Sequence, residues 1–467
     1  MLKAEETGLV QSYDTIHWFH PWEELATPGQ NNRMIVTGGT GIHVQDETGQ
    51  QLIDGPGGMW CVQIGYGSAE MAQAIAEQAM EMPYMSPYSM TAEPSARLAR
   101  KLAELAPGDL DHVFFTTGGS TAVETAVRFL HFRNNARGLP AKKIILARED
   151  SYHGSTYLTA SLSGKVGNKS LFDHESGLVA LVPSTNFYRY GKGRSREQFA
   201  KDCIAGFAAK IAEVGPENIA GFISEPVQAS GGVILPPDGY LPAVYELCRQ
   251  NDIATIADEV VTGFGRLGHW FASKDVFGVE PDIITTAKGL TSGYLPLGAA
   301  IFSKRLMADV SGDNAKGNSF THGYTYSGHP VSAAAALKNI EIIERDGLLE
   351  HVRTLAPQFK ARLERLRKLP IVGDVRGIGL VGCVDCVVSA DDIDPWQPKF
   401  DLGARIDRHC QTLGLLVRPI LNMCVFSPPL VITAAEIDRM FDILEKSLRL
   451  TTDDLVREGI FRERRAG

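Results

Sequence analysis

Ile253-Ala254-Thr255-Ile256-Ala257-Asp258-Glu259-Val260-Val261-Thr262-Gly263-Phe264-Gly265 is followed by Ile283-Ile284-Thr285-Thr286-Ala287-Lys288-Gly289, with Lys288 30 residues after Asp258. Each segment is an apolar, β-branched run that ends on a charged side chain, the pattern of a buried strand. If the two strands are parallel, Asp258 and Lys288 share one edge of the sheet. Open α/β sheets bind their ligands at that edge.

Outward from this pair the same alternation continues. Short apolar runs at 113–115, 144–147, 178–182, 219–224, 253–257, 283–286 and 297–302 read as seven strands. Amphipathic stretches at 121–134, 195–214 and 241–251 read as helices between them. This alternation predicts an α/β fold with a mostly parallel sheet covered on both faces. After Gly328 the pattern changes to long helices at 330–345 and 350–368, strands near 372–388 and 415–427, and a last helix to about residue 450. Thr433 and Glu436 form a capping box at the start of that helix. The expected division is a large domain over 61–328 and a smaller α+β domain from 329–467. Residues 1–60, turn-rich at Gly38-Gly39-Thr40-Gly41 and Gly55-Pro56-Gly57-Gly58, are expected to pack with the smaller domain.

Composition bounds the partners. The 467 residues carry a net charge of −9, with Lys and Arg scattered rather than clustered, so a nucleic-acid surface is not expected. Acids at Glu5 and Glu6 interrupt what a signal peptide would need, and no apolar run is long enough to span a bilayer. A cytoplasmic protein with no membrane association is expected. Its seven cysteines, an odd number, do not read as a disulfide framework. Cys383 and Cys386 spell C-x-x-C, but within a strand they face opposite sides, and no histidine motif completes a metal site. No metal is expected.

A lysine at a strand end is ordinarily a surface residue, and an aspartate there ordinarily caps a turn. Together they match the needs of pyridoxal phosphate, which takes a lysine as a Schiff base and an acid on its pyridine nitrogen. Phe114-Phe115-Thr116-Thr117-Gly118-Gly119-Ser120-Thr121 runs from a strand through two glycines into a helix, so Gly119 and Ser120 are candidates to hold a phosphate. Val260, two residues beyond Asp258 in extended chain, is placed to pack beneath a ring. Tyr152, in Tyr152-His153-Gly154, is placed to stack on one. Glu225 ends a strand as a structural acid or as the counter-charge of a substrate-binding arginine. Arg418 is the candidate for that arginine, since a guanidinium binds a carboxylate bidentately. Gly263-Phe264-Gly265-Arg266-Leu267-Gly268 spells a dinucleotide fingerprint, but no helix pattern follows it.

Taken together these segments resemble the class III pyridoxal-phosphate aminotransferases, in particular the amine and omega-amino acid:pyruvate transaminases. The likeness runs from the Trp18 to Trp22 region to the helix after Thr433. It implies pyridoxal-phosphate fold type I, with Lys288 as Schiff-base lysine and proton carrier and Asp258 on the pyridine nitrogen. It also implies that Val260 and Tyr152 enclose the ring and that Gly119 and Ser120 hold the phosphate. Thr325 would reach the phosphate of a neighbouring subunit, making a homodimer, or a tetramer built from it, the active form. Trp60, Phe19, Trp22 and Tyr152 resemble the aromatic lining of the substrate pocket, with Arg418 as its movable arginine. The implied reaction takes nitrogen from an amine donor to pyruvate or a similar 2-oxo acid. A decarboxylating or aminomutase member of the same fold is the alternative. The chain departs from the family at Thr121 and Val123, where an acid and an amide are usual.

Overall fold

Val, Ile and Ala dominate the seven central runs because strands buried on both faces have no polar side to alternate with. The computed structural model describes residues 4–23, 25, 33–165, 169–315, 317–389 and 400–461. Three short strands come first: β1 (Val36–Thr40), β2 (His43–Asp46) and β3 (Gln51–Asp54). The central sheet follows as β4 (Leu110–Thr116), β5 (Ile144–Arg148), β6 (Val179–Val182), β7 (Ile219–Ser224), β8 (Ala254–Asp258), β9 (Ile283–Thr286) and β10 (Gly298–Ser303). All seven expected strands are therefore present.

Their spatial order is β4-β10-β9-β8-β7-β5-β6. Only β10 runs antiparallel to its neighbours, β4 and β9. Ile145, Ala147, Ile223 and Ile256 pack with Val127 and Leu130 of the helix Gly119–Ala136. Leu146, Ile219 and Phe222 pack on the other face with Phe207 and Val244, from the helices Arg196–Val214 and Tyr240–Gln250. The result is the doubly covered α/β sheet expected from the sequence.

The C-terminal part carries an antiparallel sheet of β11 (Val372–Ile378), β12 (Val381–Cys386), β14 (Arg418–Ile420) and β15 (Met423–Phe426), in the order β11-β12-β15-β14. Cys383 and Cys386 lie on β12 and enter different core clusters, as their odd spacing requires. β13 (Leu415–Leu416) leaves this region to pair in parallel with β3. Ile42 and Ile53 join the same core as Leu348, Phe359, Phe441 and Leu444. The last helix, Ala434–Arg457, opens with Thr433 and Glu436 capping each other's backbone. Among the described residues no helix is long and apolar enough to cross a membrane.

Candidate active site

β8 and β9 are parallel neighbours, with Asp258 paired to Thr285. Asp258 and Lys288 therefore emerge at one rim of the sheet, by the C-terminal ends of these strands. Lys288 opens a short 3-10 turn, Lys288–Leu290, with φ of 43°. That left-handed conformation is costly for a side chain with a Cβ and is held where packing over-determines it. Burial pushes its amine below the ordinary lysine range, Asp258 and Glu225 oppose that shift, and Arg418 adds to it. Its Nζ stands 5.4 Å from the centre of the Trp60 ring.

Asp258 is buried, and His153 Nδ1 lies 2.7 Å from its Oδ2. Oδ1 accepts the Val260 N–H at 3.2 Å. Val260 does not continue an extended chain as its spacing suggested: β8 ends at Asp258, and the next residues form a turn. The turn still brings Val260 toward the glycine run, because a Cβ added to Gly119 would lie 3.0 Å from Val260 Cγ1. His153 was not singled out from the sequence, where it reads as the neighbour of an aromatic. Its pairing spans 105 residues, and its Nε2 is buried without a partner among the described residues.

The helix Gly119–Ala136 starts directly after β4 with no side-chain cap on its first turn. Its first N–H groups carry the positive end of an 18-residue helix toward the same rim. Ser120 Oγ accepts the Ser155 N–H at 3.1 Å, tying the tyrosine loop to this helix start. The two departures from the family pattern are absorbed locally. Thr121 donates to the Gly118 carbonyl at 2.9 Å, and Val123 is fully buried in the core beneath the helix, where an unpaired amide would be costly.

Glu225 is held by two backbone donors, Tyr152 N–H at 3.0 Å and Ala229 N–H at 3.2 Å. Burial pushes its carboxyl above the ordinary range, against the pull of His153. Arg148, fully buried behind it, donates to the Glu225 carbonyl. Trp60 is 3% exposed and adopts φ of 61° in a turn held by Asp54, which accepts the Gly58 N–H at 2.7 Å and the Tyr66 hydroxyl at 2.6 Å. Gly57 in that turn has φ of 60°, and a Cβ on it would meet the Ser427 carbonyl at 2.3 Å. The Arg418 guanidinium sits 5.0 Å from the Trp60 ring, and neither the Trp60 indole N–H nor Arg418 Nε has a partner among the described residues. Burial lowers the Arg418 pKa from the ordinary arginine value.

Three predicted residues stand apart from this cluster in the single chain. Thr325 is exposed, and its carbonyl accepts the Tyr84 hydroxyl at 2.8 Å. Phe19 is 72% and Trp22 64% exposed, beside the N-terminal helix Ala4–His17. The G-x-G-x-x-G run is a turn whose Arg266 donates to the carbonyls of Leu380 (3.1 Å) and Pro428 (2.5 Å), so it fastens the two parts of the chain together.

A lysine and a buried aspartate on adjacent strand ends, beside an uncapped helix start, fit pyridoxal phosphate chemically. Residues 25–448 match the model of the family described as aminotransferase class-III. The chain belongs to the class III aminotransferases. It is 37% identical over 448 residues to a putrescine–pyruvate aminotransferase of Pseudomonas aeruginosa, covering 94% of this chain and 96% of the relative. It is 36% identical over 423 residues to a mitochondrial gamma-aminobutyrate transaminase 1 of Oryza sativa, covering 90% and 82%. The fold matches a thermostable (S)-enantioselective omega-transaminase from Thermomicrobium roseum with a TM-score of 0.91 at 35% identity, over 97% and 99% of the two chains. Class III aminotransferases depend on pyridoxal phosphate, and this chain is an aminotransferase of that kind.

Proposed function

We propose that this aminotransferase takes the amino group of a small amine or omega-amino acid and delivers it to pyruvate or a similar 2-oxo acid. The donor leaves as an aldehyde or ketone, and the acceptor leaves as an amino acid. The observation that carries the reading is Lys288, strained and desolvated at the strand end beside buried Asp258. Bound pyridoxal 5'-phosphate supplies the electron sink for breaking the donor Cα–H bond.

The chain's own residues would do the rest. Lys288 Nζ holds the cofactor between turnovers and carries the proton removed from the donor. Asp258, oriented by His153, keeps the pyridine nitrogen protonated. Gly119 and Ser120 would hold the phosphate at the helix start, and Val260 and Tyr152 would pack against the ring. Trp60 and Arg418 bound the substrate end, where Arg418 binds a carboxylate and Glu225 offers it a counter-charge.

We further propose a cytoplasmic homodimer in which Thr325 contacts the cofactor phosphate of the other subunit and Phe19 and Trp22 complete its pocket. The exposure of all three residues and the seven free thiols support this assembly and setting. Division into a large domain over 61–328 and a smaller one from 1–60 with 329–467 is part of the same reading. The names of the relatives support both pyruvate as acceptor and amine or omega-amino acid donors.

The test is spectroscopic. Purified protein loaded with cofactor should absorb as a lysine-bound pyridoxal, lose that band on adding a donor, and regain it on adding pyruvate, without release of CO2. Release of CO2 in step with turnover would favour the decarboxylating alternative. Absence of any band would refute the assignment of Lys288.

A further inference from the structure

Just beyond Lys288 a second side chain sits on left-handed backbone. Ser292 is buried and has φ of 53°, a conformation in which glycine carries no strain and a residue with a Cβ does. What the serine adds is an acceptor. Its Oγ takes the N–H groups of Gln63 at 2.8 Å and Ile64 at 2.9 Å, both in the buried stretch that follows Trp60. Without that hydroxyl two buried backbone donors would lose this partner, a larger penalty than the strain it offsets.

The same two stretches of chain touch along their length. The Tyr294 hydroxyl donates to the Gly65 carbonyl at 3.1 Å and accepts the Ser68 N–H at 3.0 Å. A Cβ on Gly293 would meet Cys61 Sγ at 3.2 Å, and one on Gly289 would meet Gln63 Nε2 at 2.2 Å. The lysine turn is also anchored from the helix Pro330–Arg345, where Asn339 Nδ2 donates to the carbonyls of Gly289 at 2.8 Å and Leu290 at 3.1 Å. The turn is thus the fixed reference, and the Trp60 stretch is registered against it through Ser292.

We propose that Ser292 is a positioning residue that sets the size limit of the donor pocket by holding Trp60 in register with Lys288. The inference rests on the amine-donor reading above and names the residue behind the donor size it accepts. The Trp60 ring is in reach of both the Lys288 amine, at 5.4 Å, and the Arg418 guanidinium, at 5.0 Å. Its indole N–H has no partner among the described residues, so the ring is held by packing and by the backbone that carries it. Asp54 grips that backbone before Trp60, at the Gly58 N–H, and Ser292 grips it after, at Gln63 and Ile64. Releasing the second grip lets the ring withdraw and admits a larger group beside the reacting amine.

The experiment compares cofactor-loaded wild type, Ser292→Ala, Ser292→Gly, Trp60→Ala and the double variant of Ser292→Ala with Trp60→Ala. Pyruvate is the acceptor, and the donors are 2-aminopropane and 1-phenylethylamine, which share the reacting centre and differ in bulk. Ser292→Gly removes the hydroxyl while relieving the left-handed backbone, so it guards against a folding failure of the alanine variant. The ratio of kcat/KM for the larger donor to that for the smaller does not depend on the folded fraction. Both Ser292 variants should raise it by about fivefold. With Trp60 already replaced, Ser292→Ala should leave it within about 1.5-fold, because the effect acts through that ring. An unchanged or lower ratio, or the same rise in the absence of Trp60, would overturn the proposal. Hydrogen exchange gives a second readout: the Gln63 and Ile64 amides should exchange at least about tenfold faster in Ser292→Ala, and unchanged exchange would also overturn it. If wild type converts neither donor, the functional reading fails, and amide exchange still decides whether Ser292 fastens this stretch.

Discussion

At the C-terminal rim of β8 and β9 the Trp60 indole N–H and Arg418 Nε lack partners among the described residues, and Lys288 and Trp60 hold left-handed backbone. The opposite rim is also rich in charge and opens into a cleft of about 520 Å³ lined by Arg133, Glu246, Arg249, Asp252, Asp282 and Arg305. There the cations are matched: Arg133 with Asp309 at 2.5 Å, Arg137 with Asp252 at 3.1 Å, Arg249 with Glu246 at 2.6 Å, and Arg305 with Asp282. Volume and charge are therefore poor guides to chemistry in this protein. Buried polar groups without partners among the described residues mark the C-terminal rim, whereas left-handed backbone does not separate the two, since Asp252 in the opposite cleft has φ of 52°.

The sharpest way to break this contrast is Lys288→Ala. Turnover should fall by at least about 10³-fold, because both the covalent hold on the cofactor and the proton carrier are lost. Single-turnover kinetics with excess cofactor measures it, and a rate within tenfold of wild type would end the assignment. Next comes Asp258→Asn, which keeps shape and removes charge. An opposite charge at close range shifts a pKa by about 1–3 units, so a rate loss of about 10²-fold is expected, with the visible band of bound cofactor altered.

Arg133→Ala tests the other rim. Arg133 is nearly buried while Asp309 is about one-third exposed, so the loss should be about 2 kcal/mol, below that of a fully buried pair. Urea unfolding should register this loss, with kcat of the folded enzyme unchanged. The smallest effect belongs to Arg305→Ala. Arg305 is 55% exposed, and its removal should cost under about 1 kcal/mol. A rate loss from either arginine variant would blur the distinction between the rims.

Most of the fold could be read from local pattern. Each central strand is a short run of β-branched residues, and Thr433 with Glu436 announced the last helix, because strand burial and helix capping depend on residues a few positions apart. Asp258, Lys288, Gly119 and Ser120 were legible for a related reason, since each ends a strand or starts a helix at a fixed place in the repeating unit. Val260 was placed on the wrong local geometry, as the strand stops at Asp258 and the chain turns. His153 had no local signal, because its partner Asp258 is 105 residues away.

The sequence by itself determined that the chain would form a doubly covered α/β sheet and would set an aspartate and a lysine at the C-terminal rim of that sheet. Strand periodicity and parallel connection leave little other choice. Tertiary structure alone decided which polar groups there find partners among the described residues: His153 and Asp258 meet, while the Trp60 indole N–H and Arg418 Nε do not. Electrostatic environment is a sum over neighbours from many segments in a poorly screened interior, so folding assembles it only when all of them meet.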